Sequence, residues 1–460
     1  MSKMHADEFH IDQPLAQKLV AQQFPEWATL ELQPVPTAGT DHALYMLGKE
    51  MVIRLPKIGW AVENVDKEYF WLPKLAPFLP TSIPVPIAKG QPTNAYPYPW
   101  SIYRWLEGHN PIVGTLQNPL ALAHELSSFI RALHAIDLTG GPSSSRGVPL
   151  IKKDHETRQA LEKLEGAIDT KLVTQIWENA LKVSSWTKPP VWIHSDLSPG
   201  NLLLINNHLS AVIDFGMLGI GDPACDLIIA WNLLPSYVRA AFRSALEVDD
   251  AMWKRGRAWA LSNALIALPY YKDTNPTLAD NARHVIAEVI ADHKRGGVLF
   301  YFSPAQENQK QLIHEWLAQK YIREWIHGKG LNNTLNGLEN FFRGSSDTTY
   351  WIGYDYNIPF AFLITFFDSV DTITLDLFIC NPKYLGKGLA VPMIRDFLLS
   401  QFPNVKKVLI DPEATNTRAI HVYEKVGFKI IGEFIASWHP VPHYQMSLEM
   451  KDLLHSHQVE

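Results

Sequence analysis

The run His194-Ser195-Asp196-Leu197-Ser198-Pro199-Gly200-Asn201, followed by Ile213-Asp214-Phe215-Gly216, groups an unusual set of oxygen-bearing side chains within a short stretch of chain. Two carboxylates and a carboxamide at this spacing suit phosphoryl transfer. That reaction needs a carboxylate to take the proton of an acceptor hydroxyl, and hard oxygen donors to hold magnesium against the phosphates. Asp196 fits the first task, and Asn201 with Asp214 the second.

A different chemistry is written near the other end. Leu385-Gly386-Lys387-Gly388-Leu389-Ala390 is a glycine loop running into the apolar helical pattern Val391, Ile394, Phe397, Leu398. A loop that opens a helix presents unpaired backbone N–H groups and a positive dipole end, which together suit a pyrophosphate. Downstream lies Asp411-Pro412-Glu413-Ala414-Thr415-Asn416-Thr417-Arg418-Ala419-Ile420-His421-Val422-Tyr423-Glu424-Lys425-Val426-Gly427-Phe428. Asp376, on the strand-like run Ile373–Ile379 that leads into the glycine loop, could orient or deprotonate a substrate amine.

The elements that must position the first group are short. Trp192-Ile193 reads as a buried strand and Pro199-Gly200 as a turn, so Asp196 and Asn201 share a loop. Leu202–Ile205 and Ala211–Ile213 read as strands around an Asn206-Asn207 turn that returns Asp214 beside that loop. Asp222-Pro223 reads as an N-cap and first-turn pair, and Glu247-Val248-Asp249-Asp250 as either an acidic substrate-binding cluster or a helix start.

Met51-Val52-Ile53-Arg54-Leu55 is a strand with a single cation, and Val65–Leu72 is helix-like. Glu68 is the expected carboxylate partner of Arg54, with Glu63 as the alternative. Arginine can clamp a phosphate through two bonds but is no point charge. Gly39, in a turn between apparent strands, is a candidate nucleotide-binding residue of the same half.

These residues resemble the aminoglycoside phosphotransferase family, relatives of the protein kinases, over roughly residues 30 to 295. The resemblance implies an α+β bilobal, protein-kinase-like domain over 1–296, with a small lobe to about 103 and a large lobe from 104. It makes Asp196 the catalytic base, Asn201 and Asp214 the Mg2+ ligands, and Arg54 the occupant of the usual lysine position beside the phosphates of ATP or GTP. The acid Asp226 would brace the catalytic loop. Pro97–Gly108 is similar to the segment linking the lobes, where backbone groups bond a purine, and its aromatic residues, Tyr103 and Trp105 among them, either cover the base or pack the core.

The C-terminal motifs resemble the GNAT N-acetyltransferases, most closely the aminoglycoside 6'-N-acetyltransferases, over roughly 298 to 450. That implies an α/β domain over 297–460, with a mixed, mostly antiparallel sheet flanked by helices. Its acetyl-CoA loop would be Lys383, Leu385, Gly386, Lys387, Gly388 and Leu389. Asn416 would touch the cofactor, Tyr423 would protonate the departing thiolate, and Asp376 would serve the amine.

Composition agrees with two folded domains: 460 residues, 47% hydrophobic and 19% charged. A net charge of −6 gives no basic field for nucleic acid, and two cysteines exclude a disulfide framework. Met1–Glu8 lacks the apolar core of an export signal and no apolar run reaches membrane-spanning length, so the cytoplasm is expected. Gly140–Gly147 reads as a surface loop, Leu312–Trp325 as one amphipathic helix, and Asn332–Ser346, rich in Asn and Gly, as a loop. His293–Gly297 is the expected joint. The expected substrate is a cationic small molecule, an aminoglycoside bearing both hydroxyls and amines. Amino-alcohol, sugar or amine metabolites are the alternative, as is a first domain that holds nucleotide without turning it over. Oligomeric state is not legible.

Overall fold

The computed structural model describes residues 8–35, 41–137, 139–437 and 439–456. Gly39 and the N-terminal run Met1–Asp7 lie outside them. The chain divides into two compact units, Met1–Pro235 with Ala241–Ala291, and Ser236–Ala240 with Asp292–Glu460.

The first unit opens with a five-stranded antiparallel sheet of β1 (Leu32–Pro34), β2 (His42–Leu47), β3 (Met51–Pro56), β4 (Pro86–Gly90) and β5 (Trp100–Arg104), in the order β1-β2-β3-β5-β4. Alternation along β3 explains the placement of its cation. Ile53 and Leu55 enter a core with Leu47, Trp100, Ile102 and the helix residues Ala16, Leu19 and Val20. Arg54 therefore faces the other way. It meets the helix Val62–Leu75, whose buried stripe is Val65, Glu68, Leu72 and Leu75. An acid in an apolar stripe demands a partner.

Beyond β5 the chain is largely helical, Pro119–His134, Thr170–Leu181, Asp250–Tyr271 and Pro276–Lys294 being among its helices. Four short strands run among them. β6 (Val191–Ile193) pairs with β9 (Gly219–Gly221), and β7 (Leu202–Ile205) pairs with β8 (His208–Val212). Asn206 and Asn207 both adopt positive φ, 51° and 65°, the two-residue turn that suits a right-twisted hairpin.

The structure refines one expectation and decides between two others. Gly140–Gly147 is a loop at the surface that is tied down, because Ser144 N–H donates to Ile220 O (3.1 Å), Ile220 N–H to Pro142 O (2.7 Å) and Asp222 N–H to Gly147 O (2.9 Å). Glycine permits the approach, since a Cβ at Gly147 would stand 2.6 Å from Ile193 Cδ1. Sequence could not show it, as a glycine-serine run looks alike whether solvated or packed. Of the two readings for Glu247–Asp250 the helix start holds: Asp249 caps the helix Asp250–Tyr271 through Met252 N–H (2.7 Å), and Asp250 pairs with Arg243.

The second unit is built on a seven-stranded sheet. Its strands are β10 (Phe300–Pro304), β11 (Thr348–Asp355), β12 (Ile358–Ser369), β13 (Thr372–Ile379), β14 (Lys407–Ile410), β15 (Lys429–Ala436) and β16 (His439–Glu449), ordered β10-β11-β12-β13-β14-β16-β15. Only β13 and β14 run parallel. Consecutive β12 residues alternate between two cores. Ala361 and Leu363 pack with Met393, Phe397 and Leu398 of the helix Ala390–Gln401, whereas Phe362 and Ile364 pack with Ile313, Leu331 and Leu338. The mixed, mostly antiparallel sheet flanked by helices matches the expectation.

Local details differ. The stretch expected as one helix over Leu312–Trp325 is two, Lys310–Leu317 and Lys320–Arg323, because Gln319 is extended (ψ 139°) between them. Asn332–Ser346 is mostly helix, within Gly328–Phe342. Leu331, Leu335, Leu338 and Phe342 recur at helical spacing toward the core, a signal that the Asn and Gly content masked. Gly337 is there because a Cβ would stand 2.1 Å from the Tyr350 hydroxyl. Among the described residues no helix is long and apolar enough to cross a membrane.

Candidate active sites in two units

In the first unit Asp196 follows β6 on a loop held from beneath by one buried acid. Asp226, fully buried, accepts from Ser195 N–H (2.5 Å), His194 N–H (3.1 Å) and His134 Nε2 (3.0 Å). It braces the loop through the backbone. Ser195 sits at φ 63°, unusual for a residue with a Cβ, and its buried hydroxyl donates to Met217 O (2.9 Å). Asn201 Nδ2 donates to Asp196 O (2.8 Å), and Ile213 N–H to Asn201 O (2.9 Å), so loop and hairpin are tied together.

Asp214 follows β8 in left-handed backbone (φ 61°, ψ 71°), with its side chain 46% exposed. Arg54 joins it to the small lobe. Its Nη1 donates to both Glu68 oxygens (2.8 Å each) and its Nη2 to Asp214 Oδ1 (2.6 Å), while the buried Tyr103 hydroxyl donates to Glu68 Oε2 (2.5 Å). Burial alone would raise the Asp214 carboxyl, yet Arg54, His42 and His194 pull it down to about 2. Burial would likewise lower the Arg54 guanidinium, but Glu68 and Asp214 hold it well above its ordinary value. Burial and then Arg54 push the His42 imidazole well below the usual histidine range, with Asp214 opposing.

The structure thus brings Asp196, Asn201, Asp214, Arg54 and Glu68 together, and makes Glu68 the partner of Arg54. Tyr103 serves that pair, with its hydroxyl turned to Glu68, and the half-buried Trp105 lies just past β5, its N–H donating to Glu50 O (2.7 Å).

In the second unit the decisive geometry is a parting of strands. β13 and β14 pair only over Thr372↔Lys407, Ile373↔Val408 and Thr374↔Leu409, after which β13 continues alone to Ile379. Asp376, on β13, and Asp411, just past the end of β14, each lie two residues beyond the last pair, at matching positions. Burial first, then the charge of Asp411, push Asp376 up to about 7 against the pull of His443. Burial pushes Asp411 up to about 6, its own backbone hydrogen bond opposing and Asp368 adding. Tyr423, 8% exposed on the helix Thr417–Val426, has a phenol raised well above its ordinary value by burial and then by Asp376 and Asp411.

The glycine loop stands beside this cleft in sequence and fold. Gly386 and Gly388 both have φ 72° with open space where a Cβ would project, and Lys383 and Lys387 are exposed. Leu385 is half-buried. Leu389 sends its side chain into the core and precedes the helix Ala390–Gln401, which has no side-chain cap. Asn416 uses Oδ1 to cap the helix Thr417–Val426 through Ala419 N–H (3.1 Å).

Comparison with known proteins separates the units in the same way. The phosphotransferase enzyme family matches residues 31–259 and the GNAT acetyltransferase domain matches 306–436. An aminoglycoside N(6')-acetyltransferase from Legionella pneumophila is 52% identical, over 34% of this chain and 95% of that one, with a TM-score of 0.33. The chain joins a domain that matches the phosphotransferase enzyme family to a GNAT acetyltransferase domain. An aminoglycoside 3'-phosphotransferase from Salmonella typhimurium is 30% identical over 24% of this chain, which spans 43% of that protein. A GDP complex of a mutant aminoglycoside 2'-phosphotransferase-IIIa is 20% identical, over 61% of this chain and 98% of that one, with a TM-score of 0.51. This is a likeness of fold.

Three residues of the phosphotransferase unit escaped the sequence reading. Arg146 pairs with Asp196, Lys67 donates to Gly216 O, and His134 contacts Asp226. No motif flags them, because each lies far along the chain from its partner. Asp411 of the GNAT unit stood in a quoted motif without a role, and only the register of β13 against β14 gives it one.

The Arg54–Glu68 pair is open to a stability test. Glu68→Ala leaves a largely buried guanidinium and a buried phenol short of a partner, which should cost about 3 kcal/mol. Urea unfolding followed by tryptophan fluorescence should show the first unit's transition move to lower denaturant, and an unmoved midpoint would mean the pair contributes no net stability.

Proposed function

We propose that the protein modifies aminoglycosides twice, transferring a phosphoryl group from ATP or GTP to a hydroxyl and an acetyl group from acetyl-CoA to an amine. The observation that carries this reading is the pairing, in one chain, of the Asp196–Asn201–Asp214–Arg54 cluster with the Asp376–Asp411–Tyr423 cleft. The relatives' names supply the substrate class, and one multiply hydroxylated, multiply aminated molecule serves both units. The GDP complex of the structurally similar phosphotransferase supports a nucleotide site in the first unit.

In the phosphotransferase unit Asp196 takes the acceptor hydroxyl's proton, and Arg54, once nucleotide competes with Asp214 for it, faces the phosphates. Asn201 Oδ1 and Asp214 Oδ2 are hard oxygen donors and fit magnesium, which takes one or two protein oxygens and completes its shell from phosphates and water. Magnesium there would neutralise charge on the transferred group. In the GNAT unit the N–H groups around Gly386–Ala390 receive the cofactor's pyrophosphate, Asp376 and Asp411 receive the ammonium and remove its proton, and Tyr423 donates to the leaving sulfur. A cytoplasmic site of action suits both donors. Neither nucleic acid nor membrane is a partner.

Mass spectrometry of products formed from an aminoglycoside panel with magnesium, ATP or GTP, and acetyl-CoA tests this reading. Gains of ~80 and ~42 mass units on one molecule are expected for phosphoryl and acetyl transfer. A ~42 gain alone would make the first unit a nucleotide-holding module, the reading favoured by the Arg54–Asp214 bond. No gain at all would move the search to cellular amines and amino-alcohols.

A further inference from the structure

We propose that Arg146 is a second catalytic cation of the phosphotransferase unit, held on Asp196 and donating to the transferred phosphoryl group. The inference rests on the phosphotransfer reading above and goes beyond it.

Arg146 Nη1 bonds Asp196 Oδ1 and also donates to Ser195 O (3.3 Å). It is the cation nearest the carboxylate that receives the acceptor's proton. The other cations at the site are committed: Arg54 to Glu68 and Asp214, and Lys67 to Gly216 O. Arg146 uses one of its nitrogens. Among the described residues Nη2 and Nε have no partner, which leaves a planar pair of donors whose fork suits phosphate oxygens.

The arm that carries Arg146 is built rather than incidental. Its loop is sewn to β9 by Ser144 N–H to Ile220 O and Asp222 N–H to Gly147 O, and Ser144 Oγ donates to Met217 O (3.2 Å) and reaches Ser195 Oγ (3.3 Å). Gly147 lies so close to Ile193 and Gly221 that no side chain would fit. The left-handed turn at Ser195 supplies the carbonyl that the guanidinium meets. The loop after Asp214, the catalytic loop and the Arg146 arm are thereby one assembly.

Charge makes the role specific. A bare guanidinium beside the acceptor site would repel a polycationic acceptor, and Asp196 masks its charge. In the transfer step the acceptor hydroxyl's proton goes to Asp196 and its oxygen forms the new bond to the γ-phosphorus. The bond from phosphorus to the β–γ bridging oxygen breaks, and its electron pair leaves on the nucleoside diphosphate. Arg146, held on Asp196 and Ser195 O through Nη1, donates from Nη2 and Nε to the oxygens of the group in flight.

The test uses full-length Arg146→Met and Arg146→Lys with kanamycin, magnesium and the better of ATP and GTP, plus binding of magnesium with the diphosphate and aluminium fluoride as a mimic of the group in flight. In Arg146→Met, kcat should fall about 100-fold, the usual cost of losing one charge-stabilising donor. KM for both substrates should hold within about twofold, and lysine should recover about tenfold of the loss. The fluoride complex should bind Arg146→Met at least about tenfold more weakly than wild type while the diphosphate alone binds equally. A loss confined to KM, a kcat within about threefold of wild type, or equal binding of the fluoride complex would overturn the proposal. Absence of turnover in the wild-type protein would instead count against the phosphotransfer reading, and the binding comparison would still decide the role of Arg146.

Discussion

Asp196→Asn should lower phosphoryl transfer by about 10²–10⁴ in kcat while acetyl transfer by the same preparation continues at the wild-type rate. The substitution keeps shape and the acceptor oxygen for Arg146 but cannot take a proton. Because Asn201 reaches the main-chain oxygen of Asp196 (2.8 Å), the loop should keep its conformation, and nucleotide affinity should stay within about twofold. The measurement is a pair of coupled assays, one for diphosphate release and one for free thiol. Parallel loss of both activities would mean the two centres are not independent. Retained phosphoryl transfer would remove Asp196 from its role and leave its bond to Arg146 as an ordinary ion pair.

What the sequence disclosed tracks how local the physics is. The catalytic loop, the Asn206-Asn207 turn and the helix-opening Asp222-Pro223 pair are decided by neighbours within a few residues, and the chain shows them in place. Arg54 and Glu68 were joined correctly across 14 positions because a helix following a strand can only turn one face to it. Arg146 was out of reach: it lies 50 residues before Asp196, in a glycine-serine run whose packing depends on β6 and β9 rather than on its own composition. The helix at Gly328–Phe342 was missed for a related reason. Asn and Gly lower helix propensity, but burial of Leu331 and Leu338 outweighs it, and Gly337 makes room for a tyrosine on another strand. In the GNAT unit Asp376 stood out by its position before a glycine loop, whereas Asp411 acquires meaning only from the register of a parallel pair.

That register yields a pH prediction for acetyl transfer. A group pushed up to about 7 is protonated below that pH and cannot accept a proton there, so kcat/KM should rise tenfold per pH unit up to a bend near 7 and level off above it. Asp376→Asn should lower the plateau by about 10²–10⁴ and erase the bend. Asp411→Asn gives the discriminating result. The negative charge of Asp411 disfavours ionisation of Asp376, so removing it should make Asp376 ionise more readily and move the bend to lower pH. A structural role for Asp411 would lower activity at every pH alike. Tyr423 imposes no competing limb near neutrality, since burial and the same two acids keep its phenol protonated far above pH 7, where it can still donate to the leaving sulfur. A bend that stays near 7 in Asp411→Asn would mean that burial alone sets the acidity of Asp376, and that the matching positions of the two acids where the strands part serve the amine rather than each other.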